Sequence, residues 1–191
     1  MSATCFLEGS VFFDGLPADL AEGLGSVARL VALADGETLF EAGDPGDGFY
    51  GLLAGQLKVV LLSQDGDEQL LAVLKPGAIV GELALVDGRP RSATVVATAD
   101  SSLAYIERAA FARYADEHPA IYRHMLRVVG MRLRQANDAL AGRTFLPLSG
   151  RIAQALIQLA ADFGRPLDDG RTLIHTRVSQ AEIANMAGAA R

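Results

Sequence analysis

Val80-Gly81-Glu82-Leu83-Ala84-Leu85, followed after five residues by Arg91-Ser92-Ala93-Thr94-Val95-Val96-Ala97, is the stretch on which the reading of this chain turns. Gly81 lets backbone approach a ligand closely, and the small residues Ala84 and Ala93 leave room beside it. Backbone N–H groups of a short turn around Leu83 and Ala84 can join a nest for an anion. Arg91 can grip a phosphate through paired N–H donors, with the hydroxyl and amide of Ser92 beside it. Glu82 suits a ribose hydroxyl as acceptor but would repel a phosphate placed directly on it, so phosphate belongs at Arg91 and sugar at Glu82. A cyclic nucleotide offers both on one rigid ring. The plainer alternative is that Glu82 and Arg91 pair with each other across a loop.

Around this stretch, from Leu33 to Ile106, short apolar runs alternate with turn residues as an all-β barrel or sandwich requires. Leu57 to Leu62 and Gln69 to Leu74 are two strands, joined by a hairpin at Ser63 to Asp67. Ala93 to Ala97 and Ser102 to Ile106 read as a further pair, and no helix is expected in this half.

After Glu107 the pattern changes, and Pro119 stands where a helix can begin. A long helix to about Arg143 follows, in which Tyr122, Leu126, Val129, Leu133, Ala136 and Leu140 recur at intervals of 4, 3, 4, 3 and 4. That is the a/d spacing of a helix packed along a partner helix, although an ordinary amphipathic helix gives a similar stripe. A second apolar row, Ile121, Met125 and Val128, favours dimerisation, because it can cover the barrel and leave the first row for another subunit. Ser149-Gly150 breaks the chain, Arg151 to Phe163 reads as another helix, and Thr172 to Thr176 as a short strand. Ser179 caps a last helix with Glu182 as its capping-box partner, and Gly188 ends it.

Composition narrows the function. The 191 residues carry a net charge of −6, split as −11 over residues 1–117 and +5 over residues 118–191. Such a change of sign suggests two modules with different partners, the second compatible with phosphate backbones, though a solvated excess of arginine would look the same. Neither a bilayer-spanning run nor an export signal is present in the sequence, so a cytoplasmic protein without membrane attachment is expected. A single cysteine, Cys5, rules out an internal disulfide and a cysteine-held zinc or iron–sulfur site. His118, His124 and His175 all lie beyond the barrel, which argues against a metal-dependent enzyme, a nucleophile–histidine catalyst and a haem sensor. No enzyme and no metal are expected.

The stretch at Gly81, Glu82, Ala84, Leu85, Arg91, Ser92 and Ala93 resembles the phosphate-binding cassette of the cyclic nucleotide-binding domain family. Gly43 to Tyr50, GDPGDGFY, resembles that family's barrel, with Gly51 where an apolar residue is usual. Phe145 to Ala153 and Val178 to Gly188 resemble the hinge and helix-turn-helix of the bacterial cyclic AMP receptor protein (Crp/Fnr-type) family of transcriptional regulators.

The resemblance implies an α+β fold: a β-roll or jelly-roll cyclic nucleotide-binding domain over residues 1–117, a dimerisation helix over 118–143 and an incomplete winged helix-turn-helix over 144–191. It implies that Arg91 and Ser92 hold the cyclic phosphate, Glu82 the ribose 2′-hydroxyl, and that Leu71, Ala72 and Leu83 line the pocket. Asn137 would bond the base edge, whereas Ala136 lacks the hydroxyl that family members sensing cyclic AMP usually place there. The ligand is then cyclic AMP, with cyclic GMP as the alternative, and ligand preference for one dimer geometry would move the hinge around Phe145 to Gly150. The expected partners are a second copy, DNA in a full-length parent and RNA polymerase. DNA contacts would begin with Ser179, Gln180 and Arg191, but the second, reading helix would start near Ala189, so these 191 residues are expected not to read base edges. Two other readings stay open: a cyclic nucleotide module acting on a protein partner, and a ligand-independent regulator of the same family.

Overall fold

The computed structural model describes residues 16–63, 68–174, 176 and 178–189. The elements run α1 (Ala18–Ser26), β1 (Arg29–Leu33), β2 (Thr38–Phe40), β3 (Gly48–Leu62), β4 (Glu68–Leu74), β5 (Ile79–Val80), α2 (Glu82–Asp87), β6 (Thr94–Glu107), α3 (Arg108–Glu117), α4 (Ala120–Phe145), α5 (Leu148–Phe163), β7 (Gly164–Pro166), β8 (Thr172–Ile174) and α6 (Gln180–Met186). The chain forms two compact units, one of residues 1–59 with 73–132, the other of 60–72 with 133–191.

In the N-terminal half an open, jelly-roll-like sheet has the order β1-β6-β3-β4, with β2 paired to β6 and β5 to β3. The strand pair expected at 57–62 and 69–74 is present as β3 and β4, while most of its turn lies outside the described residues. The pair expected at 93–97 and 102–106 is instead one 14-residue strand, β6. Its two halves take different neighbours, Val96 opposite Thr38 and Tyr105 opposite Arg29, so antiparallel pairing continues through a segment with no glycine to turn it.

The first unit's core joins Leu24, Phe49, Ile79, Leu85, Ile106, Phe111, Ile121 and Met125. The Phe49 and Phe111 rings meet edge to face at 5.6 Å. Ile121, Met125 and Val128 on α4 are buried here, as their spacing predicts, while Leu126, Leu133 and Leu140 are 68%, 62% and 65% exposed. Three helices were not expected from periodicity. α1 and α3 are short, and α2 interrupts the β half with only six residues, too few to show a helical period.

In the second unit α5 contacts α6 and both strands of the β7–β8 hairpin, burying Ala155 and Leu159. The break expected at Ser149-Gly150 falls earlier: α5 starts at Leu148 behind Pro147, so Gly150 lies inside the helix. Proline explains the shift, since it has no N–H for a continuing helix and is tolerated at a helix start. α6 opens as its sequence predicts, with Ser179 and Glu182 forming a complete capping box.

Candidate functional site

The loop after Gly43 and the segment before β6 are held together through the main chain of Arg91. Its N–H donates to Asp44 O and its carbonyl accepts from Gly43 N–H, each at 2.8 Å. Gly46 lies so close to α2 that a Cβ there would sit 2.2 Å from the Ala84 Cβ. Small residues at both positions are therefore a packing requirement. Arg108 fastens the same corner, donating to Gly46 O at 2.8 Å and to Ala84 O.

Gly81 precedes α2 with φ +85°, a conformation that disfavours any side chain, and a Cβ there would sit 2.4 Å from Arg91 Nη1. The turn and the arginine thus share one packed space. Arg91 is turned inward and is 4% exposed. Its Nη1 donates to Gly48 O at 2.7 Å and Gly81 O at 2.9 Å, and its Nη2 lies 3.6 Å from an Asp47 carboxylate oxygen. The guanidinium rests 4.4 Å from the Phe40 ring centroid and 5.8 Å from that of Tyr50. Nε is buried with no hydrogen-bond partner. A buried, charged donor left over in this way needs an acceptor, and the Nε/Nη2 edge is the one that takes two oxygens side by side.

Glu82 is 3% exposed and does not pair with Arg91. Its partner is Arg132 of α4, whose Nε lies 2.7 Å from Glu82 Oε1 and whose Nη2 donates to Ile79 O at 2.6 Å. A buried carboxylate needs such compensation. One carboxylate oxygen carries that pair, and carboxylate geometry leaves further lone pairs for a hydroxyl donor. The alternative of a direct Glu82–Arg91 pair is thereby replaced by two separate pairs.

Around Arg91 the aromatic residues form a stack: Tyr50 lies 4.8 Å from Tyr105 and 6.0 Å from Phe40, and Arg29 lies 4.3 Å from the Tyr105 ring centroid. Burial and, next, a hydrogen bond to Asp47 push the Tyr105 phenol up to about 12. A pKa raised by folding contributes stability that is complete below the unfolded value near 10 and is lost as pH rises from there toward 12. Tyr50, Tyr114 and Tyr122 are raised too, so phenolate absorbance should show all four tyrosines ionising above the ordinary range, with the latest step removed in Tyr105→Phe. A latest step that survives in Tyr105→Phe would contradict it.

Of the expected site residues, Gly81, Glu82, Ala84 and Arg91 come together, Ala93 is buried beside them in sequence and Ser92 is exposed. Leu83 is 40% exposed. Leu71, Ala72 and Asn137 belong to the other compact unit, with Leu71 and Asn137 exposed. Ser179 and Gln180 are exposed at the start of α6, and Arg191 lies outside the described residues. Asp47, Phe40, Tyr50, Tyr105 and Arg132 were not anticipated. A signal for Arg132 exists: it continues the 4, 3 spacing of Ile121, Met125 and Val128 by four more residues, so a charge falls on the buried face.

Among the described residues no helix is long and apolar enough to cross a membrane, and no group of three or more histidine, cysteine or acidic side chains can hold a metal.

The buried carboxylate of Glu82 opens α2 and the inward guanidinium of Arg91 follows its end, and residues 30–118 match the cyclic nucleotide-binding domain family. The chain is 32% identical over 179 residues to the CRP-like cAMP-activated global transcriptional regulator of Mycobacterium tuberculosis, covering 94% of this chain and 80% of that protein. It is similar to the crystal structure of the N-terminal domain of a transcriptional regulator from Streptomyces coelicolor, at 36% identity and TM-score 0.59 over 71% of this chain and 94% of that one. It is also similar to the Thermus thermophilus catabolite activator protein, at 27% identity and TM-score 0.65 over 94% of this chain and 80% of that one. The chain belongs to the Crp/Fnr-type family, as a transcriptional regulator responsive to cyclic nucleotides. Cyclic AMP or cyclic GMP is thus its class of ligand, and proteins of the family typically dimerise and bind DNA and RNA polymerase.

Proposed function

We propose that this chain is a dimeric transcriptional regulator switched by cyclic AMP. Residues 1–117 bind the nucleotide, 118–143 dimerise and 144–191 carry the winged helix-turn-helix segment, with DNA and RNA polymerase as partners. The observation that carries this reading is the buried Arg91 with its unpartnered Nε. Nη1 fixes the plane of the guanidinium through Gly48 and Gly81, which leaves the Nε/Nη2 edge for a cyclic phosphate. Ser92 adds a hydroxyl and an amide, and Gly81, Leu83, Ala84 and Ala93 give close backbone and small side chains. Glu82, steadied by Arg132, accepts the 2′-hydroxyl. Leu71 and Ala72 take the apolar part of the ligand, and the Asn137 amide meets the base edge. Relatives named as a cAMP-activated regulator and as a cyclic AMP receptor protein favour cyclic AMP over cyclic GMP. Ligand independence draws on one observation, that Arg91 Nη1 is already satisfied by two protein carbonyls.

Titration calorimetry with both nucleotides tests the proposal. One saturable site per chain, tighter for cyclic AMP, is expected. Heat from neither nucleotide would overturn it in favour of the ligand-independent form.

Dimerisation through Tyr122, Leu126, Val129, Leu133, Ala136 and Leu140 is supported by the exposure of the three leucines, an apolar row that costs free energy in water. Sedimentation of a Leu126→Glu, Leu133→Glu double variant should give the single-chain mass of 20.1 kDa while the parent sediments as a dimer. A variant that stays dimeric at the same concentration would exclude this face.

A further inference from the structure

The last helix carries a side chain that behaves as part of the sheet. Among the described residues β4 ends the strand order β1-β6-β3-β4, so β3 is its neighbour on one side and its other side is an edge. In an extended strand the C=O of one residue and the N–H of the residue two further on point the same way, and a neighbouring strand would satisfy both. Asn185 of α6 does this with its carboxamide. Its Oδ1 accepts from Leu70 N–H at 2.5 Å and its Nδ2 donates to Glu68 O. A carboxamide has the donor and acceptor of one peptide group, and here it stands in for one residue of a missing strand.

The exchange is reciprocal. Gln69 Nε2 donates to Asn185 O at 2.7 Å and to Asn185 Oδ1 at 3.1 Å. Asn185 O belongs to the last turn of α6, where helix geometry leaves carbonyls without intrahelical donors. It also accepts from Gly188 N–H at 2.8 Å. Two amide side chains therefore bind a strand edge to a helix end through groups that both elements would otherwise leave to water. Both partners lie within the same compact unit.

The placement of the two ends gives this contact a use. Gln69 and Leu70 run directly into Leu71 and Ala72, which the proposed function places against the ligand, and Asn185 lies in the last turn of α6, the helix whose cap Ser179 and first residue Gln180 are the expected DNA contacts. We infer that the Asn185–Gln69 pair is a latch coupling cyclic nucleotide binding on β4 to the position of α6, an inference that rests on the ligand reading above. If so, linkage requires reciprocity: the latch must change ligand affinity by the factor by which ligand changes the latch.

The test uses the full 191-residue chain, its Asn185→Ala and Gln69→Ala variants, calorimetry with cyclic AMP and amide hydrogen exchange. Alanine favours a helix interior, so α6 should survive in Asn185→Ala, and Gln69→Ala removes half of the latch without touching the helix. Expected is a rise of about tenfold or more in exchange at the Leu70 amide in Asn185→Ala. Its cyclic AMP affinity should shift by about fivefold or more in either direction, with a smaller shift of the same sign in Gln69→Ala. In the parent, cyclic AMP should alter α6 exchange, and in Asn185→Ala that response should vanish. Unchanged affinity together with a parent-like α6 response in Asn185→Ala would overturn the latch while leaving the ligand reading intact. Failure of the parent to bind cyclic AMP would overturn the ligand reading and the coupling with it.

Discussion

Replacement of Arg91 by leucine should weaken cyclic AMP binding by more than about 100-fold, because it removes two charge-assisted hydrogen bonds worth roughly 1.5–3 kcal/mol each. Leucine fills similar space but donates nothing, so the phosphate would lose its counter-charge. Folding would suffer as well, since the carbonyls of Gly48 and Gly81 both accept from Arg91 Nη1. An unsatisfied buried carbonyl costs about 1–3 kcal/mol, and thermal melts must accompany the calorimetry. Arg91→Lys separates the two effects: it keeps the charge and loses the side-by-side donors, and an intermediate loss of roughly tenfold is expected. Affinity in Arg91→Leu within about threefold of the parent would remove the guanidinium from the site.

The second large effect concerns the scaffold. Phe49 is 0% exposed and meets Phe111 edge to face. Phe49→Ala should destabilise the protein by about 3–5 kcal/mol, the sum of lost transfer energy and a cavity that neighbours fill only in part. For a chain of this size that corresponds to a fall in Tm of roughly 6–20 °C. Leu83→Ala, at a residue 40% exposed, should cost under about 1 kcal/mol. Phe49 also lies between Gly48, whose carbonyl anchors Arg91, and Tyr50, whose ring flanks it. Ligand affinity in Phe49→Ala should therefore fall even at temperatures where the variant is folded. Equal melting of Phe49→Ala and Leu83→Ala would show that the core is not centred where the fold places it.

Much of this was legible in the chain itself, for identifiable reasons. Leu57 to Leu62 and Gln69 to Leu74 are apolar runs bounded by turn residues, and the two rows on α4 have helical periods long enough to assign to two adjacent faces about 100° apart. Ser179 and Glu182 announce a helix start by chemistry that works at short range. The misreadings share a different cause. Val96 and Tyr105 lie on one strand because two separate strands, β2 and β1, pair with it, and that information is not local. α2 is too short to declare a period, and Pro147 sets the start of α5 more strongly than the glycine after it. At the site, Arg91 and Glu82 were recognisable from their cassette, but their immediate partners come from 44 and 50 residues away, Asp47 and Arg132. Of these, only Arg132 had a trace in the pattern, as a charge in line with three core residues.

The central claim is that Arg91 offers its Nε/Nη2 edge to a cyclic phosphate, and the Arg91 Nε–H resonance in a 15N-labelled sample reports on that edge directly. Assigned by comparison with Arg91→Lys, it should move on addition of cyclic AMP, saturate with the calorimetric isotherm and stay in place with adenosine at the same concentration. A resonance unmoved by cyclic AMP while calorimetry shows binding would place the nucleotide elsewhere and contradict the account.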